Sequence, residues 1–192
     1  MSVEINLDRW INGTVTDLHH WTETLFSLRV EAEIPDFTAG QFTKIGLVIG
    51  DELVSRPYSF VNSPEEDFLE FYFVTVPDGP LSSQLVNLKP GDKIWVMKRP
   101  SGFLKLDEVP DSRHLWMLST GTAIGPFLSI LKMPEVWKRF EKAVLVHAVR
   151  FAEELSFQTT IETIQSKHAE KFNYIPFVSR QQVENALGGR IP

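Results

Sequence analysis

Cysteine is absent from this 192-residue chain. That excludes a disulfide framework, a thiolate nucleophile and any cysteine-held iron–sulfur or zinc centre within it. Long apolar runs are missing too, and none approaches the roughly 18–20 residues that a membrane-spanning helix needs. Positive charge is in deficit: 19 Lys and Arg stand against 25 Asp and Glu, a formal net charge of −6. General nucleic-acid binding needs a basic footprint and is not expected here. Met1-Ser2-Val3-Glu4-Ile5-Asn6 offers neither a basic nor an apolar leader segment, so a secretory signal is not expected either. There is no metal-ligand spacing, Walker A loop or Gly-x-Ser-x-Gly elbow. These absences lead to the expectation of a cytoplasmic protein with no membrane partner; a monomer is expected alongside.

What is present is apolar and aromatic. Hydrophobic residues make up 43 %, with 14 Phe and 5 Trp, enough for the core of one large domain or two small ones. Aromatic richness by itself implies core packing rather than a ligand. The first hundred residues read as strands: Val15, Leu25–Val30, Phe42–Ile49, Leu69–Val76 and Lys93–Met97 are β-branched or aromatic. Turn residues separate them, among them Ala39-Gly40, Ile49-Gly50-Asp51, Pro77-Asp78-Gly79 and Lys89-Pro90-Gly91-Asp92. Many short, punctuated strands predict an antiparallel barrel or sandwich. After Val109-Pro110-Asp111 the pattern changes. His114–Leu118, Ala143–Ala148 and Phe172–Val178 read as buried strands, with helices beginning near Pro126 and over Glu153–Lys167. Strand–helix alternation predicts a parallel α/β layer, with a boundary near residues 107–113.

Three motifs carry chemistry. Arg56-Pro57-Tyr58-Ser59 offers a cation for a diphosphate, a flat ring for stacking and a hydroxyl that donates or accepts. Strand alternation predicts Arg56 and Tyr58 on one face and Ser59 on the other. Pro77-Asp78-Gly79-Pro80-Leu81-Ser82 precedes a short helix, with Ser82 a candidate N-cap and free amides that suit an anion. Ser119-Thr120-Gly121-Thr122-Ala123-Ile124-Gly125-Pro126 leaves a strand and opens a helix, with small residues that let backbone approach a phosphate. Its Gly-x-x-x-Gly spacing is not the dinucleotide fingerprint.

In this order the three motifs resemble the bacterial branch of the ferredoxin/flavodoxin–NADP reductase family, over Trp10 to Pro192. The resemblance implies a β + α/β architecture. An antiparallel Greek-key β-barrel FAD domain would occupy residues 1–110. An incomplete parallel α/β NADP-binding domain would occupy residues 111–192. The family's last portion has two more strands, a Cys-Gly-Asn-Pro-like segment and an aromatic tail, which this sequence does not contain. A C-terminally shortened reductase is therefore expected.

By the same resemblance, Arg56, Tyr58, Ser59, Gly79, Leu81 and Ser82 would hold FAD, with backbone of Phe60, Val61, Val74 and Thr75 along its ring. Thr120, Gly121, Thr122 and Ala123 would face the nicotinamide and its diphosphate. Arg150, Arg180 and Arg190 would meet the 2′-phosphate and select NADP(H) over NAD. Ser59 and Thr122 are the candidate catalytic pair, positioning the reactants. The implied activity moves electrons between NADPH and ferredoxin or flavodoxin through the flavin. The alternatives are the reductase component of an oxygenase, a non-catalytic flavin-binding or redox-sensing module, and an inactive shortened reductase.

The remaining polar residues have plainer expectations. His19-His20 read as surface loop, and His147 as satisfying a hydrogen bond at a strand end. Glu65-Glu66-Asp67 and Asp107-Glu108 read as solvated turns. Lys98, Arg99 and Lys105 are a local basic excess on an acidic chain, suited to docking an acidic electron carrier.

Overall fold

The computed structural model describes residues 5–189. Six strands form one antiparallel sheet: β1 (Trp10–His20), β2 (Leu25–Glu31), β3 (Phe42–Ile49), β4 (Glu52–Ser59), β5 (Leu69–Val74) and β6 (Lys93–Met97). Their order is β4-β3-β6-β1-β2-β5. The outer strands meet through a Phe60–Phe71 bridge, and the Val61 N–H donates to the Glu70 carbonyl at 2.9 Å. That junction turns an open sheet into a barrel and protects its edges. β6 returns past β4 and β5 to lie beside β3, which is a Greek-key connection. Pro57 sits on β4 opposite Lys44 of β3, at the edge position where a missing N–H costs no ladder bond.

Two strands are buried on both faces. In β2, Phe26, Leu28 and Val30 fill the barrel, while Leu25 joins the core beneath the second layer. In β5, Phe71 and Phe73 point into the barrel and Tyr72 points out into that second core. The unbroken run Phe71-Tyr72-Phe73 is therefore the mark of a strand packed between two cores.

The second layer is a parallel sheet ordered β10-β9-β8-β7. It comprises β7 (His114–Thr120), β8 (Lys142–Val149), β9 (Phe172–Val178) and the two-residue β10 (Leu187–Gly188). Helix α1 (Ser82–Leu85) belongs to the barrel; α2 (Ile124–Leu131), α3 (Pro134–Arg139) and α4 (Gln158–Lys167) belong to the sheet. Leu115, Met117, Ala143, Leu145 and Phe172 face the helices and pack with Leu128, Val136, Phe140 and Ile161.

Several expectations are corrected. A fourth strand, β10, joins the three expected in the parallel sheet. β7 is not buried on both faces: Trp116 is 59 % and Leu118 56 % exposed, alternating with buried Leu115 and Met117. The helix expected over Glu153–Lys167 is split. Phe157 takes a left-handed conformation, φ 62°, and α4 starts only at the next residue. That turn drives the Phe157 ring against Trp21, 4.7 Å away, and Tyr72, 5.0 Å away, closing the two layers together. His19 and His20 end β1 rather than forming a loop. Glu66 is no solvated turn residue: it pairs with Lys132 of the other layer at 2.9 Å and accepts the Ser63 N–H.

Polar and steric contacts complete the joint between layers. Ser129 of α2 donates to the Asn62 carbonyl at 2.6 Å, and the Tyr72 and Ser156 hydroxyls meet at 2.8 Å. A Cβ on Gly125 would stand 3.1 Å from the Val61 side chain. Gly125 therefore serves close packing of α2 on the barrel, not access for a phosphate.

Candidate functional site

Two clefts open where the layers meet. The first, about 730 Å³, brings together Arg56, Tyr58 and Ser59 from β4, Val74 from β5, and Gly79, Leu81 and Ser82 from the turn before α1. Thr120, Thr122 and Ala123, from the end of β7 and the 3₁₀ turn after it, supply the opposite wall. The second cleft, about 600 Å³, lies at the C-terminal ends of the parallel strands, where open α/β sheets bind ligands. It takes Thr120, Gly121 and Thr122 from β7 and its turn, Arg150 from the end of β8 and Ser179 from the end of β9. Val74, Thr120 and Thr122 line both clefts.

Each wall has a local cause. Arg56 is exposed, and its guanidinium donates only to the Ser55 carbonyl; no carboxylate pairs with it among the described residues. Tyr58 is half-buried edge-on to Phe73, centroids 5.8 Å apart. Burial pushes its phenol above the ordinary value, against a smaller opposing pull from Arg56. All of Arg56–Ser59 line the cleft, so the opposite-face expectation for Ser59 does not hold at this strand end. Gly79 closes the turn: a Cβ there would meet Ser82 Oγ at 2.8 Å and the Val76 carbonyl at 2.9 Å.

Ser82 is not the N-cap of α1. Leu81 holds that position without a side-chain cap, and Ser82 Oγ instead accepts the Val76 N–H at 3.1 Å, fixing the turn. Gly121 has φ 51° and open space where a Cβ would go, so its need is conformational rather than steric.

Other expected residues fall elsewhere. Phe60 and Val61 are buried, at 0 % and 1 %, and their N–H groups already bond the Gln41 and Glu70 carbonyls. Phe60 stacks on Phe37 with centroids 4.0 Å apart, inside the barrel. Thr75 bonds Thr24 through both its N–H and its hydroxyl. Arg180 is exposed and outside both cleft walls, though its N–H donates to the Arg150 carbonyl at 3.0 Å, so the two arginines sit side by side. Neither is in a salt bridge among the described residues. Arg190 lies outside the described residues.

The structure adds residues that motif reading passed over. Tyr72 lines the first cleft, beside Pro126 at the end of the third motif. Glu154 lines the second, and its carboxylate accepts the N–H groups of Arg150 and Phe151 at 2.7 and 2.9 Å. Only a carboxylate four residues past a strand-end arginine could have signalled it. His147, near the C-terminal end of β8 and 0 % exposed, satisfies the expected hydrogen bond with one ring nitrogen 3.2 Å from the Gly121 carbonyl.

The sequence matches two family models that define the class. An oxidoreductase FAD-binding domain matches residues 16–105, and an oxidoreductase NAD-binding domain matches residues 117–191. The flavodoxin/ferredoxin–NADP reductase of Escherichia coli is 51 % identical over 183 residues, covering 95 % of this chain and 74 % of that protein. The ferredoxin–NADP reductase of Pseudomonas aeruginosa is 40 % identical over 180 residues, covering 89 % and 69 %. The crystal structure of a ferredoxin NADP⁺ reductase from Neisseria gonorrhoeae with bound FAD and NADP superposes with a TM-score of 0.89 at 33 % identity, covering 95 % of this chain and 74 % of that one. The chain belongs to the ferredoxin/flavodoxin–NADP reductase family.

The first cleft fits FAD on its own chemistry. It presents an unpaired guanidinium, a flat half-buried phenol ring, a hydroxyl beside it and a glycine turn with no room for a Cβ. Its volume lies within the range of small-molecule sites, roughly 300–1,000 Å³.

Proposed function

We propose that the chain binds FAD in the first cleft and NADP(H) in the second, and passes electrons between NADPH and ferredoxin or flavodoxin. The observation that carries this reading is the shared wall. Val74, Thr120 and Thr122 border both clefts, so ligands filling them would meet there. The domain division at 110/111 goes with it: the last barrel strand ends at Met97 and the first parallel strand begins at His114.

Tyr58 would offer its ring face for stacking, and Arg56 would pair with the diphosphate, as charge-assisted bonds to phosphate favour. Ser59 has a hydroxyl that suits a partner changing between donor and acceptor. Thr122 would seat the nicotinamide, and Arg150 with Arg180 would receive the 2′-phosphate. When bound, FAD supplies the conversion of a two-electron hydride from NADPH into two one-electron deliveries. No side chain need give or take a proton for the hydride itself. The chain's task is orientation, and contact at roughly 3–3.5 Å is what productive transfer demands.

For the carrier, we read Lys98, Arg99 and Lys105 as a docking face. They line one surface cleft with Arg9, beside Phe103, which is 83 % exposed. Lys105 is partly engaged by Glu108 at 3.6 Å. Neutralising Lys98 and Arg99 should flatten the salt dependence of carrier reduction; an unchanged salt dependence removes this face from the proposal. A cytoplasmic, monomeric protein is the accompanying reading; no described helix is long and apolar enough to cross a membrane.

The test is anaerobic mixing of the FAD-loaded chain with NADPH or NADH while the flavin absorbance is followed. Fast bleaching with NADPH and slow bleaching with NADH supports the proposal. Bound flavin that stays oxidised with both contradicts it.

A further inference from the structure

The His147 ring lies two residues before the C-terminal end of β8, behind the turn that both clefts share. It is fully buried, yet it touches neither cleft. Its Nε2 lies 3.2 Å from the Gly121 carbonyl and its Nδ1 lies 3.4 Å from the Tyr174 hydroxyl on β9. The Gln158 side-chain amide of α4 reaches the same hydroxyl at 3.2 Å.

The direction of each bond follows from what each group can do once the ring is neutral. A carbonyl only accepts, so Nε2 must carry the proton and donate to Gly121. The Gln158 amide nitrogen only donates, so the Tyr174 oxygen accepts from it. In the neutral ring that burial favours, Nδ1 is bare and the Tyr174 hydrogen is free to point at it. The relay Gln158 to Tyr174 to His147 to Gly121 is therefore polarised in one sense and ties α4 and β9 to one carbonyl. That carbonyl belongs to the left-handed residue of the turn, and the next residue is Thr122.

We propose that His147 is a positioning residue: its neutral Nε2–H tautomer, set by Tyr174 and Gln158, anchors the Gly121 carbonyl and so holds Thr122 where the nicotinamide meets the flavin. This rests on the functional reading above. A glycine with open space around its missing Cβ has no steric anchor of its own. The Ile124 N–H donates to the same carbonyl within the 3₁₀ turn, and the His147 ring adds a side-chain bond to it from below. Burial supports the neutral form, pushing the imidazole down to about 4, against smaller upward pulls from the Gly121 bond and Glu154. The imidazole does not need to exchange a proton during turnover. Its contribution is geometric, and displacement of a reacting group by about 1 Å is enough to slow a reaction by about 100-fold.

The experiment compares wild type with His147→Gln, His147→Leu and Tyr174→Phe. Gln can place an amide N–H where Nε2–H lies; Leu fills the space without a donor. In the wild-type chain without flavin, ¹⁵N NMR should find His147 as the Nε2–H tautomer, uncharged at pH 6. An Nδ1–H tautomer, or titration near the ordinary value, overturns the proposal. The backbone amide shifts of Gly121, Thr122 and Ala123 should move in His147→Leu and return towards wild type in His147→Gln.

With FAD bound, His147→Leu should keep its flavin content but reduce it with NADPH on the order of 10- to 100-fold more slowly. His147→Gln should recover most of that rate, and Tyr174→Phe should fall between. Equal rates in Leu and Gln variants, with unmoved turn amides, overturn the proposal. If wild type itself is not reduced by NADPH, the functional reading fails, and the tautomer and amide measurements still decide the role of His147.

Discussion

The barrel and the parallel sheet solve the same problem differently. The barrel closes at one end through Phe60 and Phe71, both 0 % exposed, and the remaining β4 and β5 edges border the first cleft. The parallel sheet stays open among the described residues. Its β7 edge has no further partner, and Trp116 and Leu118 face outward. One face packs on helices and also carries a buried imidazole in its middle. Closure lets the barrel hold its ligand wall with packing and one hydrogen-bonded turn, Val76 N–H to Ser82 Oγ. The open sheet holds its wall with a turn, a polar relay and the ends of its strands.

That contrast can be broken by mutation. Phe71→Ala removes a fully buried ring from the closed core and should cost about 3–5 kcal/mol in stability, read from denaturant unfolding of the chain. A loss below about 1 kcal/mol would mean that the barrel is not sealed as described.

The next effect belongs to the sheet. The folded state holds His147 at about 4, below its ordinary 6.5. Between those values the unfolded chain carries the proton and the folded chain does not. Stability should therefore fall as pH drops from about 6.5 to about 4, by roughly 3 kcal/mol from this group. Tyr174 and Glu154 are the other ionisable groups acting on the ring. Denaturant curves for wild type and His147→Gln across that window should differ in slope by close to one proton. Parallel curves would show that the ring is not a buried neutral base.

Arg150→Ala should weaken NADPH binding by about 1.5–3 kcal/mol, the scale of a charge-assisted hydrogen bond, and leave NADH binding nearly unchanged. Equal losses with both nucleotides would take the 2′-phosphate out of its role. The smallest effect should come from Trp116→Ser, about 0.5 kcal/mol or less in stability, since most of the ring is already in water. A cost comparable to Phe71→Ala would mean that the outer face of β7 is covered in solution.

Much of this was legible in the sequence because it depends on local pattern. β3, β6 and β9 occupy the segments that alternation predicts, and Arg56-Pro57-Tyr58-Ser59 stands on a cleft wall beside Gly79 and Thr122. What was not legible depends on distant partners. Phe157 breaks a helical pattern only because Trp21 and Tyr72 await its ring. The resemblance lays the backbone of Phe60 and Val61 along the ligand ring, yet barrel closure turns Phe60 into the barrel and Val61 against α2, with both N–H groups already bonded. Ser82 sits where a cap belongs, but its hydroxyl serves Val76. Gly125 looks like part of a phosphate loop and is a packing glycine against Val61. A hydrogen-bonded role for His147 was legible but its partners were not, since Gly121 lies 26 positions away and Tyr174 lies 27.

The central claim is that two ligands meet across the wall formed by Val74, Thr120 and Thr122. It is tested most directly by reducing the FAD-loaded chain chemically, adding NADP⁺ without oxygen, and recording long-wavelength absorbance. A new broad band, lost when Thr122 is replaced by a bulky residue, is the result expected of stacked flavin and nicotinamide rings. Tight binding of both ligands with no such band would contradict it: the clefts would be neighbours that do not communicate.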